Sequence, residues 1–467
     1  MRIIMKRYNF LIIGLAAVTL TGCKSLYGKY ERPAVNTSGL IRDAVNDNDT
    51  LAVTDTTSFA NIPWRSVFTD PQLQTLIEKT LANNPDLLNA ALNIDMAEAQ
   101  LKVAKLAFLP GITFTPQGTI STWDGQKANK TYSLPVNASW DANLFGSLTA
   151  AKRSTQVSML QMKDYQVAVQ TKLIANVANM YYTLLMLDKQ LQIVTDMEKL
   201  TKDTWGIMKV QLQTVRGVRS TAVQSAESNY LSVQTQKEDI KRQIRETENS
   251  LSLVMGEQAH AISRSTLDAQ SLPTTFSTGV GVQLLSNRAD VHANEMALAN
   301  CFYNIEVARS RFYPSLTISA SGAYTNSGGM GITNPGKILL SAVGSLTQPI
   351  FMKGQLRAGL RVAEDQYKQA LNTWQSSVLS AGSEVSNALV LYNASDAKSK
   401  LEQKRIAVLK KNVEDTRNLM ASAGATYLEV ITAQSNLLNA QLNQVQDDFS
   451  KMQAVVNLYY ALGGGAK

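Results

Sequence analysis

The sequence predicts a mainly α-helical protein with a membrane β component, built from one unit copied in tandem. Each copy holds long coiled-coil helices and a pair of strands. Three observations predict this. The chain repeats itself with a period of roughly 205 residues. Two very long stretches, 147–213 and 353–421, lack proline and nearly lack glycine. Ahead of each stretch, two short segments alternate apolar and polar residues, the period of a strand.

The N-terminus sets the compartment. Arg2, Lys6 and Arg7 precede an apolar run from Phe10 to Leu20, which ends in Leu20-Thr21-Gly22-Cys23. A basic start, a short apolar stretch and small residues before a cleavage point mark a secretory signal, expected over 1–22. The tetrad resembles a bacterial lipobox, which implies an acylated Cys23 as the mature N-terminus. Lys24 and Ser25 follow, with no Asp to retain such a lipoprotein at the inner membrane. Gram-negative outer-membrane lipid is therefore the expected anchorage. Segment 23–63 is expected to be a lipid-anchored linker, with 34–60 rich in Asp, Asn and Thr and poorly ordered.

No later stretch has the 18 or so apolar residues of a membrane helix. The net charge of +8 falls to about +5 once the signal leaves. It is mild and spread along the chain, which gives no case for nucleic acid. Only Cys23 and Cys301 are present. With lipid on the first, no intrachain disulfide can form, and Cys301 reads as a small buried apolar residue in a helix.

The copies align in order. Ala104, Phe108, Pro110 and Thr113 match Ala308, Phe312, Pro314 and Thr317. Gly217, Val223, Ala226, Ser228, Asn229 and Leu231 match Gly424, Val430, Ala433, Ser435, Asn436 and Leu438, and Gly256 matches Gly463. The first repeat is expected over 64–260 and the second over 288–467, with 261–287 between them. In each, a helix (86–108 and 288–312) ends at a proline, Pro110 or Pro314.

Strand pairs follow, over 111–141 and 315–349. In the first, Ile112, Phe114 and Ile120, then Tyr132, Leu134, Val136, Ala138 and Trp140, alternate with Thr, Ser, Gln and Asn. In the second, Leu316, Ile318, Ala320 and Tyr324 do the same, while 338–349 is less regular. Trp123, Tyr132, Trp140 and Tyr324 lie near strand ends, as in the aromatic girdles of membrane barrels. The connecting loops, 123–130 and 326–337, are polar and glycine-rich. A soluble antiparallel sheet alternates in the same way. If these strands do enter lipid, four of them cannot close a barrel, and open edges leave backbone groups unpaired there. Several chains must then pool their strands, and three would supply twelve.

The helices from 147 and 353 would extend roughly 100 Å each, and 219–255 and 427–461 return alongside them. Val157, Leu160, Tyr165, Val169, Leu173, Val177, Met180 and Leu184 step by threes and fours, a coiled-coil pattern. The turns between helices fall near Gly217 and Gly424.

Together these pieces resemble the outer-membrane factor family of TolC- and OprM-like channels. Besides Cys23, the resemblance rests on Tyr30-Glu31-Arg32-Pro33, on Trp64, Phe68 and Asp70-Pro71-Gln72-Leu73, and on Asn84-Pro85-Asp86-Leu87. It also rests on Trp140 to Gly146 with its copy Gln348-Pro349-Ile350-Phe351, on Asn287-Arg288-Ala289-Asp290, and on Tyr427 to Gln434. Ala289 departs from the family's Arg-Pro-Asp.

The resemblance implies a homotrimer with a 12-stranded β-barrel in the outer membrane, joined to a periplasmic α-helical barrel. It also implies an adaptor protein and an inner-membrane pump, here of the resistance-nodulation-division type. The turns, Arg216, Gly217, Val218 and Arg219 with Gly424, Ala425 and Thr426, would be the adaptor-docking tip. Glu429 falls near the family's acidic gate position, whereas Ala222 stands where the first repeat often carries an acid. The implied function is passive export through one member of a tripartite efflux system. A type I protein-secretion duct shares the fold and stays open. A periplasmic adaptor or a structural coiled-coil lipoprotein would not need two strand pairs.

Nothing in the sequence calls for catalysis or a cofactor. His260 and His292 stand without acids or Cys at metal-ligand spacing. Gly331 to Lys337 mimics a phosphate loop, but Ile338 replaces its Ser or Thr and Pro335 interrupts it.

Overall fold

The computed structural model describes residues 28–34, 40–41, 59, 62–122, 124–125, 128–214, 218–273, 288–327, 333–421 and 426–466. Cys23, Trp123, Arg216, Gly217, Gly424 and Ala425 lie outside them.

The first described helices are α1 (Trp64–Val67) and α2 (Pro71–Asn83). Asp70 caps α2 by accepting the Gln72 N–H at 2.9 Å, with Pro71 at the first helical position, where no N–H is missed. Each repeat then follows one plan. In the first, α3 (Pro85–Leu106) leads to strands β1 (Gly111–Phe114), β2 (Gln117–Ser121) and β3 (Asn129–Ala142), then to α4 (Ser147–Thr214) and α5 (Ser220–Val254). In the second, α6 (Ala289–Ser310) leads to β4 (Ser315–Ser327) and β5 (Thr333–Thr347), then to α7 (Gln355–Ala421) and α8 (Tyr427–Ala461).

The returning helices end alike. Gly256 takes φ +71° and Gly463 φ +89°, a left-handed turn that favours glycine. Gly256 N–H donates to Leu253 and Glu257 N–H to Ser252; Gly463 N–H donates to Tyr460 and Gly464 N–H to Tyr459. The same pair of closing bonds at both ends is the duplication expressed in backbone geometry.

All strands join one antiparallel sheet in the order β1-β3-β4-β5, with β2 also on β3. β1 and β2 keep a single register against β3 and form one strand line interrupted at Thr115–Pro116. Proline has no N–H for a ladder, so the break falls where an edge strand tolerates it. The second pair departs from the sequence expectation. β5 starts at Thr333, so the loop expected over 326–337 is shorter, and the pair ends at Thr347 rather than 349. A register shift between Thr325 and Ser327 marks a bulge.

The chain divides into two compact units, and each draws residues from both repeats. One holds residues 1–34, 93–163 and 293–375, including the sheet; the other holds 35–92, 164–292 and 376–467. The core of the second unit gathers Trp64, Phe68, Leu73 and Ile77 around Ile174, Tyr181, Leu184 and Leu185 of α4. Leu251 of α5 and Val456, Leu458 and Tyr459 of α8 complete it. Cys301, expected to be buried, is only half-buried on α6.

Candidate functional site: an open-edged sheet and the helix turns

Residues paired across an antiparallel ladder share a face. Trp140 pairs with Ile318, Leu134 with Tyr324 and Ala138 with Ala320. Ile112 and Phe114 pair with Ala138 and Val136. Leu316, Gly322 and Tyr324 pair with Leu346, Leu340 and Ile338. One face is therefore apolar across every strand, and its large side chains are exposed in the single chain. The opposite face carries Thr113, Thr115, Ser133, Asn137, Ser319, Ser321 and Ser341, cross-linked by short polar contacts. Asn137 donates to Thr115 at 3.1 Å, Thr317 to Asp141 at 2.7 Å, and Ser321 and Ser341 lie 2.7 Å apart. Leu339 and Val343 break that face on β5, the irregularity visible in the sequence.

Aromatic rings bound the apolar band. At one end Tyr132 and Tyr324 lie 6.0 Å apart. Gly336 fits against them at φ +107°, where an added Cβ would come within 2.5 Å of the Tyr324 hydroxyl and 2.7 Å of the Tyr132 hydroxyl. At the other end Trp140 donates its indole N–H to the Phe108 carbonyl at 2.9 Å, and Phe145 stacks on Tyr313 at 5.1 Å. Tyr132 to Trp140 spans about 27 Å along the strand, or about 20 Å at a 40° tilt, close to the apolar height of a membrane barrel. Residues 333–337 are strand, and the next described helix starts only at Gln355, so the phosphate-loop mimic has no helix terminus to serve it.

At the turns, Val218, Ala222, Val223 and Ala226 pack with Met208, Met420, Tyr427, Val430 and Ile431 in one apolar cluster that joins both hairpins. Thr426 and Glu429 form a capping box. The Thr426 side chain accepts the Glu429 N–H, and Glu429 Oε2 accepts the Thr426 N–H at 3.1 Å. The Thr-x-x-Glu spacing announces this box in the sequence, so Glu429 has a structural task beside any role in a gate. Arg219 starts α5 with no side-chain cap, and it has no ion pair among the described residues.

The residues behind the family resemblance are polar anchors. Arg32 grips Glu295 of α6 with two bonds, 2.8 and 2.6 Å. Asp70 accepts bonds from Tyr181 at 2.6 Å, Gln270 at 2.8 Å and the Ser265 hydroxyl. Burial raises the Asp70 pKa, but these donors outweigh it and hold the carboxyl below the usual range. Arg288 bridges Asp290 at 2.7 Å and Glu384 at 2.6 Å and donates to the Ala461 carbonyl at the end of α8. Burial opposes its charge, yet the two carboxylates keep its pKa raised. Glu295, Glu384 and Ser265 carry no sequence signal, since each is defined only by a distant partner.

Among the described residues no helix is long and apolar enough to cross a membrane, and no group of His, Cys, Asp and Glu is placed to hold a metal ion. The model of the family described as "Outer membrane efflux protein" matches residues 76–257 and 280–464. The chain belongs to the outer membrane efflux protein family. It resembles the cation efflux system protein CusC of Escherichia coli K12, at 28% identity over 96% of this chain and 98% of that one. It also resembles the probable outer membrane lipoprotein SilC of Salmonella typhimurium, at 26% identity over 96% of both chains. The crystal structure of CusC superposes with a TM-score of 0.82 at 26% identity, covering 94% of this chain and all of that one. As an outer membrane efflux protein, the chain works in export at the outer membrane. The duplicated match is the repeat seen in the helices and strands.

Proposed function

We propose that three copies of this chain pool their strands into a twelve-stranded barrel in the outer membrane and continue it as a periplasmic α-helical barrel. This duct passively conducts small solutes or ions to the exterior. An inner-membrane pump of the resistance-nodulation-division type supplies the energy, and a periplasmic adaptor docks at the turns around Arg216 to Arg219 and Gly424 to Thr426. Cys23 carries the lipid anchor. The chain itself catalyses no reaction and needs no cofactor.

The observation that carries this reading is a continuous apolar sheet face whose edges, β1 and β5, have no further strand partner among the described residues. Lipid does not tolerate open edges, so the edges must meet other chains. The name of CusC, a cation efflux system protein, favours small solutes or ions over secreted proteins as cargo, and the pump partner selects among them.

The test is single-particle imaging of the detergent-extracted mature protein, with planar-bilayer conductance on the same sample. Threefold particles with a detergent belt at one end and a conducting pore are expected. A monomer, or particles without a belt, would overturn the proposal.

A further inference from the structure

We infer that the level where the strands give way to the helices is a binding surface for anionic phospholipid headgroups of the periplasmic leaflet. This rests on the barrel reading above and adds the class of lipid and the residues that select it.

Strand pairing brings four junctions together. Gly111 lies opposite Ser139, Ala142 opposite Leu316 and Ser315 opposite Thr347, so β1, β3, β4 and β5 meet their helices at one end of the sheet. The segments at this end, 102–110, 143–153, 306–314 and 348–361, hold nine Lys or Arg and one acid, Glu306, a net +8 that equals the +8 of the entire chain. Charge that is spread along the sequence is thus gathered by the fold at one level.

Little within the chain neutralises it. Glu306 is buried. Arg309 approaches Glu364 at 3.9 Å and Arg361 pairs with Asp365 at 3.0 Å, while the other seven cations have no ion pair among the described residues. Lys105 and Arg309 complement the negative ends of α3 and α6. That account fails for α7, which has no acid in its first turn and carries Lys353 and Arg357 at its positive end. Cations there are unfavourable unless an anion outside the chain offsets them. The repeats agree, since Lys105 corresponds to Arg309 and Arg153 to Arg361.

The level faces the lipid side. Trp140 ends the apolar sheet face, and its indole N–H donates to the Phe108 carbonyl at 2.9 Å. Gln348 continues the apolar alternation of β5 and donates to the Phe312 carbonyl at 3.1 Å. These two struts tie the ends of α3 and α6 to that face. Lys105 and Arg309 stand three residues before the two carbonyls, and Lys152 Nζ lies 5.6 Å over the Phe108 ring. Arg153 lies 5.9 Å over Tyr303, whose hydroxyl accepts the Tyr30 N–H at 3.5 Å. Tyr30 is seven residues from Cys23, the proposed lipid anchor. Seven residues reach at most about 25 Å, so the anchor enters the leaflet beside these cations. Leu109, 61% exposed, offers apolar surface at the same level. Apolar side chains beside cations fit an anionic interface, where attraction acts only within about 10 Å of the headgroups.

The test equilibrates the full mature trimer, in detergent, with micelles holding equal phosphatidylglycerol and phosphatidylcholine, and counts the lipid retained after gel filtration. Phosphatidylglycerol should be enriched. Lys105→Gln, Lys152→Gln, Arg309→Gln and Arg357→Gln together should lower its retention about fivefold or more. Lys199→Gln, Lys404→Gln, Lys410→Gln and Lys411→Gln, on exposed helix faces far from the sheet in sequence, should leave it unchanged. In the unaltered protein, retention should fall about tenfold between about 0.05 and 0.5 M salt. Retention indifferent to salt, an equal loss in both variants, or a threefold particle without enrichment overturns the lipid surface and leaves the barrel standing. Displacement by inorganic phosphate at constant ionic strength overturns the membrane as the source of the anion. A monomer overturns both readings.

Discussion

The helices returning from the two turns start at equivalent positions and are built differently. Arg219 and Ala222 of α5 correspond to Thr426 and Glu429 of α8. The second start has a reciprocal capping box, while the first has no side-chain cap and places a cation at the positive end of the helix dipole. Ala222 is buried against Met208, Met420 and Val430, whereas Glu429 is exposed. One copied turn has thus split its tasks: the first supplies apolar packing, and the second supplies a self-capped helix end with a free carboxylate edge. The missing acid in the first repeat goes with burial, because a carboxylate in this apolar cluster would lose water.

Restoring that acid gives the largest expected effect. Ala222→Glu should cost about 3 kcal/mol, from burying a carboxylate in an apolar cluster. Burial raises the new group's pKa, so the loss is full at neutral pH and shrinks once acid protonates it. Thermal unfolding of the extracted protein at two pH values checks this. An equal loss at both would locate the cause in steric overpacking instead.

A second contrast lies on α6 and α3, where Glu306 corresponds to Lys102. Lys102 is exposed, but Glu306 is buried, and its Oε2 has no hydrogen-bond partner. Burial pushes its carboxyl up to about 6, although Arg153 and Arg309 pull the other way. An acid with a raised folded pKa is destabilising when ionised. The penalty is therefore full above about 6 and relieved as pH falls toward the ordinary 4.5. Glu306→Gln should stabilise by about 1 kcal/mol at pH 7.5, with nothing gained near pH 4.5. A pH-independent gain would refute the burial account.

Thr426→Ala should cost about 1 kcal/mol by removing the cap. The effect should be confined to faster amide exchange in the first turn of α8, with α5 unchanged.

The helices were largely legible because their signals are local and long. Without proline, and with apolar steps of three and four, 147–213 and 353–421 read as helix, and the observed ends are Thr214 and Ala421. The strand faces were legible by alternation. The start of β5 was not, because Pro335 and Gly336 read as loop residues. Gly336 is there for its fit against Tyr132 and Tyr324, a contact between strands distant in sequence. The polar anchors were legible on one side only. Arg32, Asp70 and Arg288 stood in recognisable motifs, but Glu295, Ser265 and Glu384 become partners only in the folded chain. The spatial units were not legible either, since the β3–β4 ladder ties the two repeats into one sheet.

The smallest stability effect carries the sharpest distinction between the turns. A capping box accepts Gln as well as Glu at its third position, because either side chain can accept the N-cap N–H. Glu429→Gln should therefore leave α8 within about 0.5 kcal/mol of its stability, whereas Glu429→Ala loses part of the cap. Charge separates the two roles. If the carboxylates of three copies line the proposed pore, Glu429→Gln lowers cation selectivity in single-channel recordings while amide exchange at the start of α8 stays unchanged. If selectivity is unaltered and only Glu429→Ala has an effect, Glu429 serves the helix end alone, and the two turns differ in capping but not in gating.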